Sequence, residues 1–243
     1  MSNCMKRALV TGGTSPIGLA ICQRLVADGL HVLVHAHSSV GKAHDIVAQI
    51  QRSGGSAEVW CSDLANAETT RQALEPVLAA GVPQVIVHNA GTHDDVTMAG
   101  MTEAQWRDVL AVSLDGFFNV VQPLLLPLTR TRWGRIIALS SITARLGNKG
   151  QVNYAAAKAG LEGAVRSLAR EVASRGITVN AVAPGVIASP ATAAIMTQAD
   201  IAAMVPARRA GQPQEVADLV GFLASGQAAY ISGQIIGVNG GMA

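Results

Sequence analysis

The sequence predicts one doubly wound α/β domain over residues 1–243, a seven-stranded parallel sheet with helices on both faces. Three observations point there. Short β-branched runs alternate with longer segments of helical spacing, as strand–helix–strand units require. The runs are apolar at consecutive positions, so both faces of each strand need cover, which marks a parallel sheet. Hydrophobic residues make up 49% of the chain and charged residues 14%, enough for a large core and too little charge for disorder.

The strands follow in order. "RALVT" (7–11) comes first, then "HVLVH" (31–35), "AEVWC" (57–61) and "QVIVH" (84–88). "RIIALS" (135–140), "TVNAVA" (178–183) and "QIIGVN" (234–239) complete the set. Gly29, Gly54 and Gly176 each follow a helical run, where a left-handed residue closes the helix. Thr102-Glu103-Ala104-Gln105 has capping-box spacing and opens a long helix to about Leu128. Pro213 sits near the start of another. No repeat, low-complexity tract or linker divides the chain.

Several function classes are disfavoured. A net charge of +2 gives no reason to expect nucleic acid or a membrane surface as partner. Cys4, Cys22 and Cys61 lie far apart with no CxxC pair, which predicts reduced thiols in a cytoplasmic protein. The start "MSNCMKRALVTGG" has no long apolar run, so no secretory signal is expected. Residues 176–199 carry no charge, but Asn180, Pro184, Gly185, Pro190 and Gln198 interrupt them, which predicts buried strand plus loop, not a membrane span. The low charge also predicts that part of the surface is buried in an oligomer. His31, His35 and His37 share a strand face, but no acid or cysteine joins them at ligand spacing. A partly exposed strand end near a cofactor is expected there, and no metal site.

Chemistry enters at the first strand, which runs into "TGGTSPIG" (11–18) and opens a helix at about Ile17. Glycines let backbone approach a pyrophosphate, and the helix N-terminus supplies N–H groups. This is the dinucleotide-binding junction of a Rossmann-type fold. Further on, "QVNYAAAKAG" (151–160) places Tyr154 one helical turn before Lys158, and Ser141 lies thirteen residues upstream at the end of the fifth strand. A phenol gives up its proton reluctantly at neutral pH, and a nearby ammonium lowers its pKa. Carbonyl reduction needs such a donor, because negative charge builds on oxygen as hydride reaches carbon.

These motifs resemble those of the short-chain dehydrogenase/reductase family. "TGGTSPIG" is similar to its TGxxxGxG fingerprint, with Gly12 and Gly18 matching and Pro16 in place of the middle glycine. The resemblance implies cofactor contacts from Gly12, Thr14, Ser15, Ile17 and Gly18. "CSDLAN" (61–66) places Asp63, followed by Leu64, where the family contacts adenine. "HNAG" (88–91) resembles its NNAG, with His88 replacing the first asparagine and Asn89, Ala90 and Gly91 matching. Ser141, Tyr154 and Lys158 take the places of its catalytic serine, tyrosine and lysine, Ser140 being the neighbouring alternative. Lys158 is expected to hold the nicotinamide ribose as well. In "AVSLDGFFN" (111–119) Ser113 stands where the family has an asparagine that holds a relay water, and Asn119 is out of register to replace it. "NAVAPGVIASPATAAI" (180–195) implies nicotinamide contacts from Pro184, Gly185, Ile187 and Ser189, with a substrate flap from Ser189 to about Met204.

An acid at the end of the second strand selects NAD by pairing with the ribose 2′-hydroxyl. Here "HAHSSVGK" (35–42) has none, and His37, Ser38, Ser39, Lys42 and Ser15 are candidates to accept a 2′-phosphate. NADP(H) is therefore expected. Nearly the whole chain resembles bacterial 3-oxoacyl-[acyl-carrier-protein] reductases. That implies NADPH-dependent reduction of a carrier-bound 3-oxoacyl thioester to the (3R)-hydroxyacyl form. It also implies carrier docking by Arg132 and Arg175 beside the active-site mouth, and a homotetramer whose contacts include "YAAAKAGLEGAVRSLA". The rivals are reduction of another ketone, sugar or quinone, and a non-catalytic nucleotide-binding subunit, motivated by Pro16 and Ser113.

Overall fold

Alternate side chains of each strand enter two different cores. In β1 (Arg7–Val10), Ala8 and Val10 face one layer and Leu9 the other, all fully buried. The chain, a computed structural model, is described for residues 5–243; Cys4 lies outside the described residues. After β1 come α1 (Pro16–Ala27), β2 (His31–Ala36), α2 (Val40–Arg52), β3 (Ala57–Cys61), α3 (Ala67–Ala80) and β4 (Val85–His88). Next are α4 (Glu103–Leu110), α5 (Gly116–Thr131), β5 (Gly134–Leu139), α6 (Thr143–Leu146) and α7 (Val152–Val172). β6 (Ile177–Pro184), α8 (Pro190–Ile195), α9 (Gln198–Met204), α10 (Pro213–Ala224) and β7 (Ile235–Val238) complete the order.

The seven strands form one parallel sheet in the order β3-β2-β1-β4-β5-β6-β7. One core packs Ile21 and Leu25 of α1, Ile46 and Ile50 of α2, and Val216 and Val220 of α10 on the sheet. The other packs Leu74 of α3, Val120 and Leu124 of α5, and Leu161 and Val165 of α7. Strand order reverses between β1 and β4, and there the carboxyl ends of the strands open a crevice suited to a ligand.

Caps close the elements where the sequence places them. Thr102 and Gln105 form the reciprocal capping box of α4, and Gly29, Gly54 and Gly176 take φ values of 84°, 82° and 73°. The long helix expected from Thr102 to about Leu128 is interrupted: Ala111–Asp115 form a π-turn between α4 and α5. Such a turn adds a residue to the helix and re-aims a side chain, here Ser113. Taken together, α4, the π-turn and α5 (Glu103–Thr131) are long and apolar enough to cross a membrane by length and composition. In this fold its apolar residues Val120, Val121, Leu124 and Leu128 are spent on the core.

Candidate active site

The crevice is built around the turn after β1. Thr11 Oγ accepts the backbone N–H groups of Asn89 and Ala90, both at 2.9 Å, which ties the end of β1 to the end of β4. The Asn89 amide donates to the Thr11 carbonyl (3.0 Å), the Gly12 carbonyl (2.9 Å) and Ser15 Oγ (3.2 Å). A Cβ at Gly18 would lie 2.1 Å from the Gly12 carbonyl oxygen, and one at Gly12 would lie 2.9 Å from the Asn89 amide nitrogen. Both positions therefore require glycine. Pro16 starts α1, where its missing N–H and fixed φ are accepted. The N–H groups of Thr11, Gly12, Gly13, Ser15 and Gly18 all have acceptors within the protein. Those of Thr14 and Ile17 have none among the described residues, which leaves them open to an anionic ligand.

Ser15 corrects one expectation. Its hydroxyl donates to the Gly12 carbonyl at 3.0 Å and accepts from Gly18 N–H at 3.1 Å. It is the N-cap of α1, saturated by the loop itself, and is not available to a 2′-phosphate.

Beside this turn a cleft of about 160 Å³ gathers Gly12, Thr14, His37, Ser38, Ser39, Asp63, Leu64, Ala90 and Gly91. Asp63 spends Oδ1 on the Ala65 N–H at 3.0 Å. Ser39 precedes α2 without making a side-chain cap bond, so its hydroxyl is free. His35 also lines the cleft, but it is only 3% exposed, not the partly exposed strand end expected. Its Nδ1 accepts Gly12 N–H at 3.0 Å and its Nε2 lies 3.0 Å from the Ser62 carbonyl, so neither nitrogen is open to a metal. A larger cleft of about 820 Å³ opens at the opposite edge of the sheet around Lys6, Trp133 and Phe222, and holds none of the predicted site residues.

At the end of β5 the two serines separate. Ser140 Oγ donates to the buried Glu162 carboxylate at 2.8 Å. Ser141 lies near enough to the Tyr154 phenol to lower its pKa, and it accepts the Thr143 N–H at 3.1 Å. Ser141 is thus the serine beside the phenol. Asn153, which sequence reasoning missed, fixes the start of α7: its amide donates to the Asp94 and Gln105 carbonyls at 3.2 and 3.0 Å, and its oxygen accepts Tyr154 N–H at 2.8 Å. Lys158 Nζ lies 5.6 Å from the Tyr154 ring centroid and donates to the Leu139 carbonyl at 2.7 Å.

The electrostatics depart from the sequence expectation. Burial raises the Tyr154 pKa above the usual 10.0; the Ser141 hydrogen bond opposes that and the Asp95 charge reinforces it. Lys158 is shifted as well. Its own pKa is lowered from 10.5 to about 8 by burial. For the phenol, desolvation of the charged form outweighs the opposing influence of Ser141.

Ser113 is fully buried, and its hydroxyl has no partner among the described residues. A Cβ at Gly91 would lie 3.1 Å from Lys158 Nζ and 3.3 Å from Ser113 Oγ, so ammonium and hydroxyl border one small space that glycine leaves open. Orphaned polar groups there fit a ribose hydroxyl or water. Asn119 does not replace the expected asparagine; its amide donates to the Leu64 carbonyl at 2.8 Å.

On the substrate side, Pro184 ends β6 and its carbonyl accepts Ile142 N–H at 2.9 Å. Gly185 donates to the Val238 carbonyl at 3.0 Å, and Ile187 bridges to Gly211. Ser189 caps α8 through Thr192 N–H at 3.0 Å. The predicted flap is α8 and α9, with Ile195 and Met204 exposed. Within one subunit Arg132 and Arg175 are not beside the site's own mouth. They precede β5 and β6, at the amino ends of strands whose carboxyl ends carry Ser141 and Pro184. Within one subunit they stand across the sheet from the site.

This geometry has a family. The family model described as enoyl-(acyl carrier protein) reductase matches residues 12–243. With the curated relatives below, it shows that the chain belongs to the short-chain dehydrogenase/reductase family, and it is an oxidoreductase served by a nicotinamide cofactor. It is 43% identical over 240 residues to a 3-oxoacyl-[acyl-carrier-protein] reductase of Salmonella typhimurium, covering 98% of this chain and 97% of that one. A protein of the same name from Staphylococcus aureus is 42% identical over 240 residues, with 98% of each chain covered. A crystal structure of a candidate gluconate dehydrogenase from Agrobacterium tumefaciens superposes with a TM-score of 0.94 at 28% identity, covering 98% of this chain and 95% of that one.

Gly18→Ala is expected to weaken dinucleotide binding at least about tenfold and to lower the thermal midpoint, since the methyl meets backbone that has nowhere to move. Fluorescence titration with the dinucleotide and a thermal melt check both.

Proposed function

We propose that the protein reduces a 3-oxoacyl thioester carried on acyl carrier protein to the (3R)-3-hydroxyacyl form, with NADPH as reductant. The observation that carries this reading is the grouping of Ser141, Tyr154 and Lys158 beside the crevice, with Ser141 acting on the phenol and Lys158 Nζ 5.6 Å from its ring. The printed names of the relatives supply the substrate class. NADPH in preference to NADH is supported by a cleft whose only acid is Asp63, with His37, Ser38 and Ser39 at the end of β2. A carboxylate there would repel a 2′-phosphate, whereas hydroxyls accept one.

When bound, the cofactor supplies hydride to the keto carbon. The residues do the rest. Thr14 and Ile17 N–H groups, with the positive end of α1, receive the pyrophosphate. Ser141 donates a hydrogen bond to the substrate oxygen and Tyr154 delivers its proton to that oxygen. A phenol held above its usual pKa stays protonated at neutral pH, as an acid must. Lys158 takes the ribose hydroxyls on the N–H groups that Leu139 leaves free, and Ser113 and Gly91 border the space through which its proton is replaced.

Tyr154→Phe is expected to keep NADPH binding and lose at least about a hundredfold in rate; turnover near wild type would remove Tyr154 from the mechanism. In paired titrations NADPH is expected to bind more tightly than NADH, and the reverse order would overturn the cofactor assignment.

A second reading, the same chemistry on a free ketone, sugar or quinone, draws on one observation: Arg132 and Arg175 lie across the sheet from the site. In a homotetramer joined through α5 and α7, antiparallel helix pairing would carry them to a neighbour's mouth; Phe118 and Leu126, exposed on α5, suit that contact. Charge reversal at both arginines distinguishes the readings. Under carrier docking, kcat/KM for a carrier-bound substrate is expected to fall at least about tenfold while a free thioester is little affected. Equal effects on both favour the free-ketone reading.

A further inference from the structure

Two buried imidazoles brace the cofactor turn from opposite sides, and neither belongs to the chemistry described so far. His35, on β2, is 3% exposed, and His88, on β4, is fully buried. Their hydrogen bonds fix which nitrogen carries the proton. Gly12 N–H is only a donor and reaches His35 Nδ1 at 3.0 Å, so Nδ1 must accept. The ring proton is then on Nε2, which points at the Ser62 carbonyl, only an acceptor, at 3.0 Å. The same logic holds at His88. Thr11 Oγ already accepts two backbone N–H groups, so its own proton is free for His88 Nδ1 at 3.3 Å. His88 Nε2–H then donates to the Ser113 carbonyl, in the π-turn, at 3.2 Å. Each bond demands the tautomer that the other supplies.

The consequence is mechanical. Consecutive residues Thr11 and Gly12 each rest on one imidazole. One ring continues to Ser62 in the loop beside the adenosine cleft, and the other to Ser113 beside Lys158. An imidazole suits this task because it holds an acceptor and a donor on opposite edges of one rigid ring. The surroundings keep both rings uncharged. His35 packs on Trp60 at 5.0 Å between centroids, with the His37 ring and the Asp63 carboxyl the titratable groups that act on it, and its pKa is lowered to about 4, mainly by burial. His88 packs edge-on to Phe117 at 5.6 Å; burial first and then the Lys158 charge and His35 lower it to about 3.

We propose that His35 and His88 are positioning residues for the dinucleotide, a pair of Nε2-protonated imidazoles that fix the Thr11–Gly12 turn between the adenosine loop and the π-turn. The inference rests on the nicotinamide-dinucleotide reading above and adds residues that this reading does not use.

The test uses full-length protein and NADPH itself. His35→Phe keeps a ring against Trp60 but removes both bonds, and His35→Asn restores an acceptor for Gly12. NADPH dissociation constants, read by fluorescence, are expected to rise at least tenfold for His35→Phe and to recover in part for His35→Asn, with the larger kinetic loss in KM for NADPH rather than in kcat. His88→Phe is expected to raise the dissociation constant as well. NADPH binding as tight in His35→Phe as in wild type would overturn the inference. Failure of the wild type to bind NADPH would instead overturn the cofactor reading. Should the variants not fold, nitrogen-15 spectra of histidine-labelled wild type still decide. Both rings are expected as neutral Nε2–H tautomers at pH 6, and a charged ring or an Nδ1–H tautomer at either position contradicts the proposal.

Discussion

One buried ammonium constrains the whole site. Lys158 is 3% exposed, and its Nζ has a single acceptor in the protein, the Leu139 carbonyl. The nearest buried carboxylate along α7, Glu162, is committed to Ser140 and Arg166. A charge taken out of water without a counter-charge lowers its own pKa, here to about 8. It remains tolerable only where other polar groups arrive to meet it. A side chain at position 91 would crowd the ammonium and the unpaired Ser113 hydroxyl, which face the same point. The site is therefore preorganised around an unfulfilled demand for hydrogen-bond acceptors, which under the proposed function ribose hydroxyls and an ionising phenol would meet.

Meeting that demand requires the dinucleotide to arrive in one register, and the crevice between β1 and β4 sets it. Thr11 Oγ, the Asn89 amide and the two imidazoles bind the glycine turn to four neighbours, namely Asn89, Ala90, Ser62 and Ser113 through their intermediaries. Most N–H groups of the turn are consumed in holding its shape. Two remain for the ligand. A loop with this division of labour is rigid before binding, so little ordering entropy is lost when the cofactor enters.

Much of this was legible in the sequence, for local reasons. All seven strands lie within a residue or so of their β-branched runs, because parallel strands covered on both faces carry little else. The glycines of the turn and the Ser141–Tyr154–Lys158 spacing were readable because each depends on neighbours near in sequence. Other matters, besides Asn153, were not. Ser15 reads equally as phosphate ligand or helix cap until the Gly12 carbonyl is seen beside it. His35 reads as an exposed strand end because nothing local reveals Ser62 across the β2–β3 pair. The direction of the Tyr154 shift depends on burial, which no spacing encodes. The π-turn at Ala111–Asp115 has no signature in an otherwise regular helical pattern. Arg132 and Arg175 are a different case: each stands just before a predicted strand, so their place at the amino edge of the sheet could have been read from the strand assignments alone.

The coupling between this ammonium and this phenol is open to direct spectroscopy, because the chain has only two tyrosines. With Tyr230 replaced by phenylalanine, the tyrosinate absorbance reports Tyr154 alone. In protein without dinucleotide the phenol is expected to ionise above 10, and saturation with NADP⁺ is expected to bring it below 10 unless Lys158 is replaced by methionine. A Tyr154 titration that NADP⁺ leaves unmoved, or that moves equally without the lysine, would contradict the central role given to Lys158.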